Sequence, residues 1–248
     1  MFKIFITFEI NIHALIFRIH FIYNLLGTMA AIEQESLVKF KANSNIIVTG
    51  QSHAGKSTFV FELLKHLPLF ESKIKHILYV FGIWQELFER MEREVNSITF
   101  FQGIPKKDIL EKFSNEYGNI LLVLDDVMGE GTNNVELMNL FTTYSHHMGI
   151  TVIFLLQNIF PPGKYMRTIS LNAHYIILFK NPRDEQQVKT LGRQIFPNQS
   201  KFFMDAYKRA TEVPYSYLCV TLYPGTSEKY RLSSNIFPQE ETVLYLPM

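Results

Sequence analysis

The sequence predicts an α/β domain with a mostly parallel central sheet and helices on both faces of that sheet. Between about residues 45 and 196, short apolar runs alternate with amphipathic stretches. Such alternation is typical of strands joined by helical crossovers. The runs are apolar at consecutive positions, which indicates strands buried on both faces. We expect residues 29–248 to form one domain, because a chain of 248 residues suffices for a sizeable core.

Apolar runs and helical periodicity place the elements. The predicted strands are Asn45–Thr49, His76–Phe81, Ser97–Phe101, Asn119–Asp125, Thr151–Leu156, His174–Phe179, Ser216–Leu222 and Tyr230–Ser233. The predicted helices are Lys56–Leu67, Trp84–Glu94, Asp108–Asn115, Val135–His146, Asp184–Ile195 and Lys201–Thr211. The last two strands are expected to extend the sheet or to pack on its edge.

Composition excludes several classes of protein. The hydrophobic share of 47% and the charged share of 19% are those of a globular chain, and the net charge of +1 gives no general affinity for nucleic acid. Any DNA contact would therefore need a local patch or a surface shared by several subunits. One cysteine cannot form an internal disulfide, which fits a reducing, intracellular compartment.

Residues 1–28 are a doubtful N-terminal extension. Lys3, Glu9 and Arg18 interrupt its apolar runs, so it resembles neither a signal peptide nor a membrane span. Apolar residues alternate from Phe2 to Ile12, as in an edge strand. Alternatively, the segment is translated AT-rich upstream sequence, and Met29 is the true start.

A phosphate-binding loop follows the first strand. The segment from Gly50 to Ser57 fits the pattern G-x-x-x-x-G-K-[ST], and it lies between an apolar strand and an amphipathic helix. Glycines let the backbone turn tightly and point consecutive N–H groups at phosphate oxygens. The residues expected to bind ATP are Gly50, Gln51, Ser52, His53, Ala54, Gly55, Lys56, Ser57 and Thr58.

Two residues of this loop carry specific chemistry. Lys56 is expected to supply positive charge to the β- and γ-phosphates, and it is also a catalytic candidate. The Ser57 hydroxyl is expected to bind Mg²⁺. The cofactors predicted are therefore ATP and Mg²⁺.

A pair of acids ends a second apolar strand. Asp125 and Asp126 follow Ile120–Leu124, where buried carboxylates are costly unless a cation or hydrogen bonds compensate them. We assign Asp125 to Mg²⁺ and Asp126 to the general base that activates water. The opposite assignment stays open, and a simple turn or helix cap would also use such residues.

The order of the motifs indicates a subdivision of the P-loop NTPases. His76–Phe81 and Ser97–Phe101 lie between the loop and the acids in the chain, so we expect extra strands between the P-loop strand and the acid strand. This organisation resembles the additional-strand, catalytic-acid division, which is RecA- and FtsK-like, rather than nucleotide kinases. Gln157, at the tip of the next apolar strand, is a candidate to contact γ-phosphate and water; a turn residue before Pro161 is the alternative.

Several stretches resemble one family within this division. They are Tyr79–Gln85, Leu122–Met128, Tyr144–His147, Leu156–Phe160, Met166–Tyr175, Phe179–Asp184 and Asn235–Pro238. They are similar to the DNA-packaging ATPases of Polinton (Maverick) and related adenovirus-like elements, members of the FtsK–HerA superfamily. The resemblance spans roughly residues 44–247. It implies a homo-oligomeric ring, hexameric or pentameric, that drives double-stranded DNA into a capsid, with capsid proteins as partners and the nucleus or virion as location.

An arginine is the last catalytic candidate. Arg167 follows the Gln157 strand by a Pro-Pro-Gly loop and lies within the stretch most similar to the packaging ATPases. A guanidinium suits the charge of a phosphoryl-transfer transition state, so Arg167 is predicted to complete a neighbouring subunit's site, with Arg183 as the weaker candidate. The alternative is an ordinary surface or capping arginine.

Two other functional classes stay open at this point. The same P-loop could serve a nucleotide or small-molecule kinase, although no arginine-rich lid follows the acid strand. It could also serve a nucleotide-gated binding module, although pure binding needs no second carboxylate.

Overall fold

The computed structural model describes residues 38–127 and 133–247. The doubtful extension, residues 1–28, lies outside these ranges, and so do Met128 and the glycine after it. No helix in the described ranges is long and apolar enough to cross a membrane.

Nine strands of the described chain form one sheet in the order β3-β2-β4-β5-β1-β6-β7-β8-β9. The strands are β1 Asn45–Thr49, β2 His76–Phe81, β3 Ile98–Gln102, β4 Ile120–Asp125, β5 Ile150–Leu156, β6 Tyr175–Phe179, β7 Tyr217–Thr221, β8 Leu232–Ser234 and β9 Val243–Leu244. All pairings from β3 to β6 are parallel, and those from β6 to β9 are antiparallel. The sheet is therefore mostly parallel, as predicted.

Helices cover both faces of the sheet. They span Lys56–Lys65, Glu86–Glu94, Lys107–Tyr117, Val135–Asn139, Ser145–His147, Met166–Leu171, Glu185–Ile195 and Ser200–Ala210. The alternation of side chains along β1 shows the two layers. Ile46 and Val48 belong to the apolar cluster that contains the helices Lys56–Lys65 and Glu86–Glu94. Ile47 belongs to the cluster on the opposite face.

The strand between the P-loop strand and the acid strand is not one of those we expected. β5 pairs with β1 on one side and with β4 on the other. β2 and β3 lie beyond β4, toward the edge of the sheet. The additional strand is therefore present, but it follows the acid strand in the chain and carries Gln157 at its tip. The order of strands in the sequence did not predict their order in the sheet. Parallel strands are joined by long crossover connections, so strands that are consecutive in the sequence need not be neighbours in the sheet.

Several short elements were not predicted from the sequence, and one predicted helix is interrupted. Met166–Leu171 is helical, β9 pairs with β8, and Glu228–Tyr230 is a 3-10 helix. Six, two and three residues are too few for a periodic pattern to stand out. The predicted helix Val135–His146 is present, but Leu140–Tyr144 is a π-helical turn within it.

Candidate active site

The loop after β1 adopts a conformation that only small residues tolerate at two positions. Gly55 has φ 99°, which is a left-handed conformation that favours glycine. A side chain on Gly50 would lie 2.6 Å from Cβ of Phe179, so glycine also lets this loop pass close to β6. The helix Lys56–Lys65 begins directly after the loop, and no side chain of its N-cap residue Gly55 satisfies the N–H groups of its first turn.

Lys56 folds back over the loop that precedes it. Its Nζ donates to the carbonyl oxygens of Gly50 at 2.7 Å and Gln51 at 2.9 Å. Burial lowers the pKa of this lysine, and the nearby Asp125 carboxylate partly opposes that shift. The ammonium is thus held at the mouth of the loop by acceptors that an anionic phosphate would outcompete.

Asp125 ends β4 in a buried position. Its Oδ2 accepts hydrogen bonds from the Tyr79 hydroxyl at 2.7 Å and from the Ser57 hydroxyl at 3.1 Å. Only 6% of the residue is exposed. Burial raises the pKa of the Asp125 carboxyl above its ordinary value, while the hydrogen bonds from Tyr79 and Ser57 act in the opposite direction.

The neighbouring Asp126 is exposed and has a left-handed backbone, with φ 54°. Its backbone is fixed against Gly82, at the end of β2. The Gly82 N–H donates to the Asp125 carbonyl at 3.2 Å, and a side chain on Gly82 would lie within 3.0 Å of the Asp126 carbonyl oxygen. A strained backbone at an exposed acid is a feature often found at functional sites.

These side chains line one cleft of about 730 Å³. Its predicted residues are Ser52, His53, Gly55, Lys56, Ser57, Thr58, Asp125, Asp126 and Gln157. Gly50 and Gln51 contribute their carbonyls to Lys56 instead, and Ala54 donates its N–H to the Gln51 carbonyl.

The cleft also contains residues that the sequence did not single out as site residues. Gln85 and Leu87, at the start of the helix Glu86–Glu94, line it, and so does Tyr215, in the loop before β7. Gln85 lies in a stretch that carries the family resemblance, which was the available signal. No sequence signal pointed to Tyr215, because it is a turn residue far along the chain from the phosphate-binding loop and belongs to no motif.

The donor set fits a magnesium ion. Ser57 Oγ and Asp125 Oδ2 lie 3.1 Å apart beside the phosphate-binding loop, and Mg²⁺ in such sites takes one or two protein oxygens together with phosphates and water. A cation here would also compensate the buried Asp125 carboxylate. Among the described residues no group of three or more His, Cys, Asp or Glu could hold a metal alone, so phosphate oxygens would have to complete the coordination.

The two arginine candidates lie outside the cleft. Arg167 is exposed on the short helix Met166–Leu171, and Arg183 is exposed after β6. Neither belongs to the set of side chains that line the cleft. Tyr79 and Trp84 both pack against Phe88, with ring centroids 5.1 and 5.5 Å apart.

Comparison with solved structures supports the fold. The genome-packaging NTPase B204 of Sulfolobus turreted icosahedral virus 2, in complex with ATP-γ-S, superposes with a TM-score of 0.52 at 15% identity, over 83% of this chain and 98% of that one. B204 of Sulfolobus turreted icosahedral virus, described as a DNA-packaging ATPase, gives 0.51 at 14% identity, over 83% and 98%. Comparisons with protein-family models and with curated proteins found no match.

Proposed function

We propose that this protein hydrolyses ATP in a Mg²⁺-dependent reaction. The observation that carries the proposal is the convergence of five side chains in one cleft. The phosphate-binding loop supplies Lys56 and Ser57, and Ser57 is hydrogen-bonded to Asp125. The second carboxylate, Asp126, and the amide of Gln157 face the same cleft. A site that only binds nucleotide has no need for the last two groups.

Each group has a distinct task in the proposed reaction. The loop N–H groups and Lys56 hold the β- and γ-phosphates, while Ser57 and Asp125 would hold the ion. Mg²⁺ would neutralise charge on the phosphate oxygens. Asp126 accepts the proton of the attacking water, and it suits this role because it is exposed to the cleft whereas Asp125 is buried. Gln157 orients that water from the tip of β5.

The reaction is proposed to drive double-stranded DNA during genome packaging. The resemblance to the Polinton packaging ATPases supports this, and the structural neighbour B204 is itself described as a genome-packaging NTPase. The motor would work as a homo-oligomeric ring that binds DNA with low sequence specificity and meets capsid proteins, in the nucleus or virion. The position of β5 is that of the additional-strand division, which favours a motor over a nucleotide kinase.

Arg167 is proposed to act on the site of a neighbouring subunit. Its exposure on a short helix, outside the cleft of its own chain, suits a role in trans. Arg167→Ala and Lys56→Ala should each be inactive alone. Mixed rings would contain sites where an intact Lys56 faces an intact Arg167, so partial recovery of activity is expected. Full activity of Arg167→Ala alone would contradict this role, and Arg183→Ala is the matched comparison.

Phosphate release with and without duplex DNA tests the proposed function. We expect Mg²⁺-dependent release that duplex DNA stimulates and that Lys56→Ala abolishes. Asp126→Asn should stop turnover while ATP still binds, whereas Asp125→Asn should weaken Mg²⁺-dependent binding. Release that requires a phosphate acceptor would indicate a kinase, and ATP binding without release would indicate a binding module.

The affinity for DNA gives an independent test of the motor. Contacts to the phosphates of any sequence predict binding that falls steeply with salt and differs little between sequences. Affinity that does not change with salt, or a strong preference for one sequence, would contradict the packaging proposal while leaving ATP hydrolysis in place.

A further inference from the structure

A second cavity, of about 480 Å³, adjoins the candidate active site. We call it the side groove. It runs along the helix Lys56–Lys65, past Thr58 and Phe59 as far as His66. Gly55, Thr58 and Tyr215 line both the side groove and the cleft. A ligand whose phosphates occupy the loop can therefore extend over Thr58 into the side groove without leaving the protein surface.

Tyr215 stands at the junction of the two cavities in an unfavourable conformation. It has φ 67°, and the N–H of Ser216 donates to the carbonyl of Val213 at 3.2 Å. A Pro at the second turn position and a positive φ at the third are features of a type II turn, where glycine is the preferred third residue. Here Pro214 is followed by a tyrosine that is 72% exposed. A bulky residue that is both strained and exposed indicates a function for its ring.

The Tyr215 ring lies against the phosphate-binding loop. Its Cδ1 is 3.2 Å from the point that a Cβ on Gly55 would occupy. The loop glycine therefore makes room for the ring, and the ring in turn forms one wall of the side groove. Burial against the core cannot explain this placement, because most of the side chain remains in solvent.

Three further rings, those of Phe59, His66 and Phe237, also line the side groove. Phe237 packs on Phe59 with ring centroids 5.4 Å apart and on His66 at 5.6 Å. The His66 ring is held in place on both sides, because its Nδ1 lies 2.8 Å from the Glu62 carbonyl oxygen and its Nε2 lies 2.8 Å from the Gln239 side-chain amide nitrogen. The groove is thus rich in aromatic rings, including the exposed Tyr215, which suits an aromatic ligand held by stacking.

We propose that the side groove holds the purine base of the nucleotide and that Tyr215 stacks on it. This inference rests on the proposed function, because the phosphates must occupy the loop for the base to reach the groove. The α-phosphate then lies nearest Thr58, and the γ-phosphate lies at the far end of the cleft, beside Asp126 and Gln157. Recognition by stacking makes Tyr215 a determinant of nucleotide affinity and not of turnover chemistry.

The test compares ADP with pyrophosphate, both with Mg²⁺, by calorimetry on the full chain. Both ligands fill the phosphate loop and neither is hydrolysed, but only ADP carries a base. Tyr215→Gly removes the ring and gives the turn its preferred residue, so it should not lower the melting temperature. Tyr215→Phe keeps the ring. Val213→Ala, in the same turn, removes an exposed apolar side chain that does not line the groove.

We expect Tyr215→Gly to raise the Kd for ADP by about 5- to 150-fold, the range for loss of one stacked base, and to leave the Kd for pyrophosphate unchanged. Tyr215→Phe and Val213→Ala should match the wild type for both ligands. An unchanged Kd for ADP in Tyr215→Gly, or an equal loss for both ligands, would overturn the inference.

The outcomes also separate this inference from the proposed function. If the wild-type chain hydrolyses ATP and the Tyr215→Gly variant binds ADP normally, base binding in the side groove is refuted and the proposed function is not. A wild-type chain that binds neither ADP nor pyrophosphate refutes both.

Discussion

We expect Gly82→Ala to disable turnover by displacing Asp126, while ATP still binds. A Cβ on Gly82 would lie within 3.0 Å of the Asp126 carbonyl oxygen and 3.3 Å from its carbonyl carbon. Both neighbours are backbone atoms, so no side-chain rotation relieves the clash. The Asp126 backbone must retreat by about 1 Å before an ordinary contact forms.

Two magnitudes follow from that displacement. A misplacement of about 1 Å at a reacting group costs on the order of 10²-fold in rate, so kcat should fall by about that factor. Overpacking of this kind costs about 1–3 kcal/mol of folding free energy. The Kd for ATP should change little, because Lys56 and the loop N–H groups lie on a different strand and loop.

The assay measures kcat, the Kd for ATP and the free energy of unfolding in Gly82→Ala and in Gly225→Ala. Gly225 is the matched control, because a Cβ placed there meets no heavy atom of the described chain within 4 Å. Its kcat and stability should equal those of the wild type. A Gly82→Ala variant with normal kcat would refute the role of Asp126 as base, or the claim that Gly82 positions it.

Three further predictions concern the same cleft. Tyr79→Phe removes a hydrogen bond to Asp125, so the Mg²⁺ concentration for half-maximal turnover should rise about 10-fold; an unchanged requirement would contradict a positioning role for Tyr79. Burial raises the pKa of Asp125, so without Mg²⁺ the folded chain keeps this proton to higher pH than the unfolded chain, and stability should fall as pH rises from about 4 toward the raised pKa. Urea unfolding across that range should show this fall in the wild type and a smaller one in Asp125→Asn. Gln157→Ala should lower kcat without changing the Kd for ATP, and a loss of ATP affinity would show that Gln157 acts in binding instead.

The sequence predicted the elements of this fold better than their arrangement. The strands β1 and β2 have the predicted bounds, because each is a continuous apolar run between polar residues. This continuous apolar character also means that the sequence does not predict the order of the strands in the sheet. A strand that is apolar on both faces can pair with any other such strand, so nothing in the sequence of β5 identifies it as the neighbour of both β1 and β4.

The site residues that the sequence could predict are those that belong to short local motifs. Lys56, Ser57 and the acid pair stand out because their spacing or their position after an apolar strand is unusual for a core. Tyr215 could not be found in this way, because it reaches the site through the approach of the loop before β7 to Gly55, a contact between distant segments. The contact of Tyr79 with Asp125 was likewise hidden inside an apolar run.

The central position of β1 has a consequence for the folding of this protein during its synthesis. The N–H of Asn45, at the start of β1, is hydrogen-bonded to a histidine ring 129 residues further along the chain, just before β6. At a synthesis rate of about 5–20 residues per second, the ribosome needs roughly 6 to 26 s to supply that partner. Until then the P-loop strand lacks its neighbour β6, and for most of that interval it also lacks β5. A nucleotide that binds the loop as proposed would therefore stabilise the chain only after most of the domain has been translated.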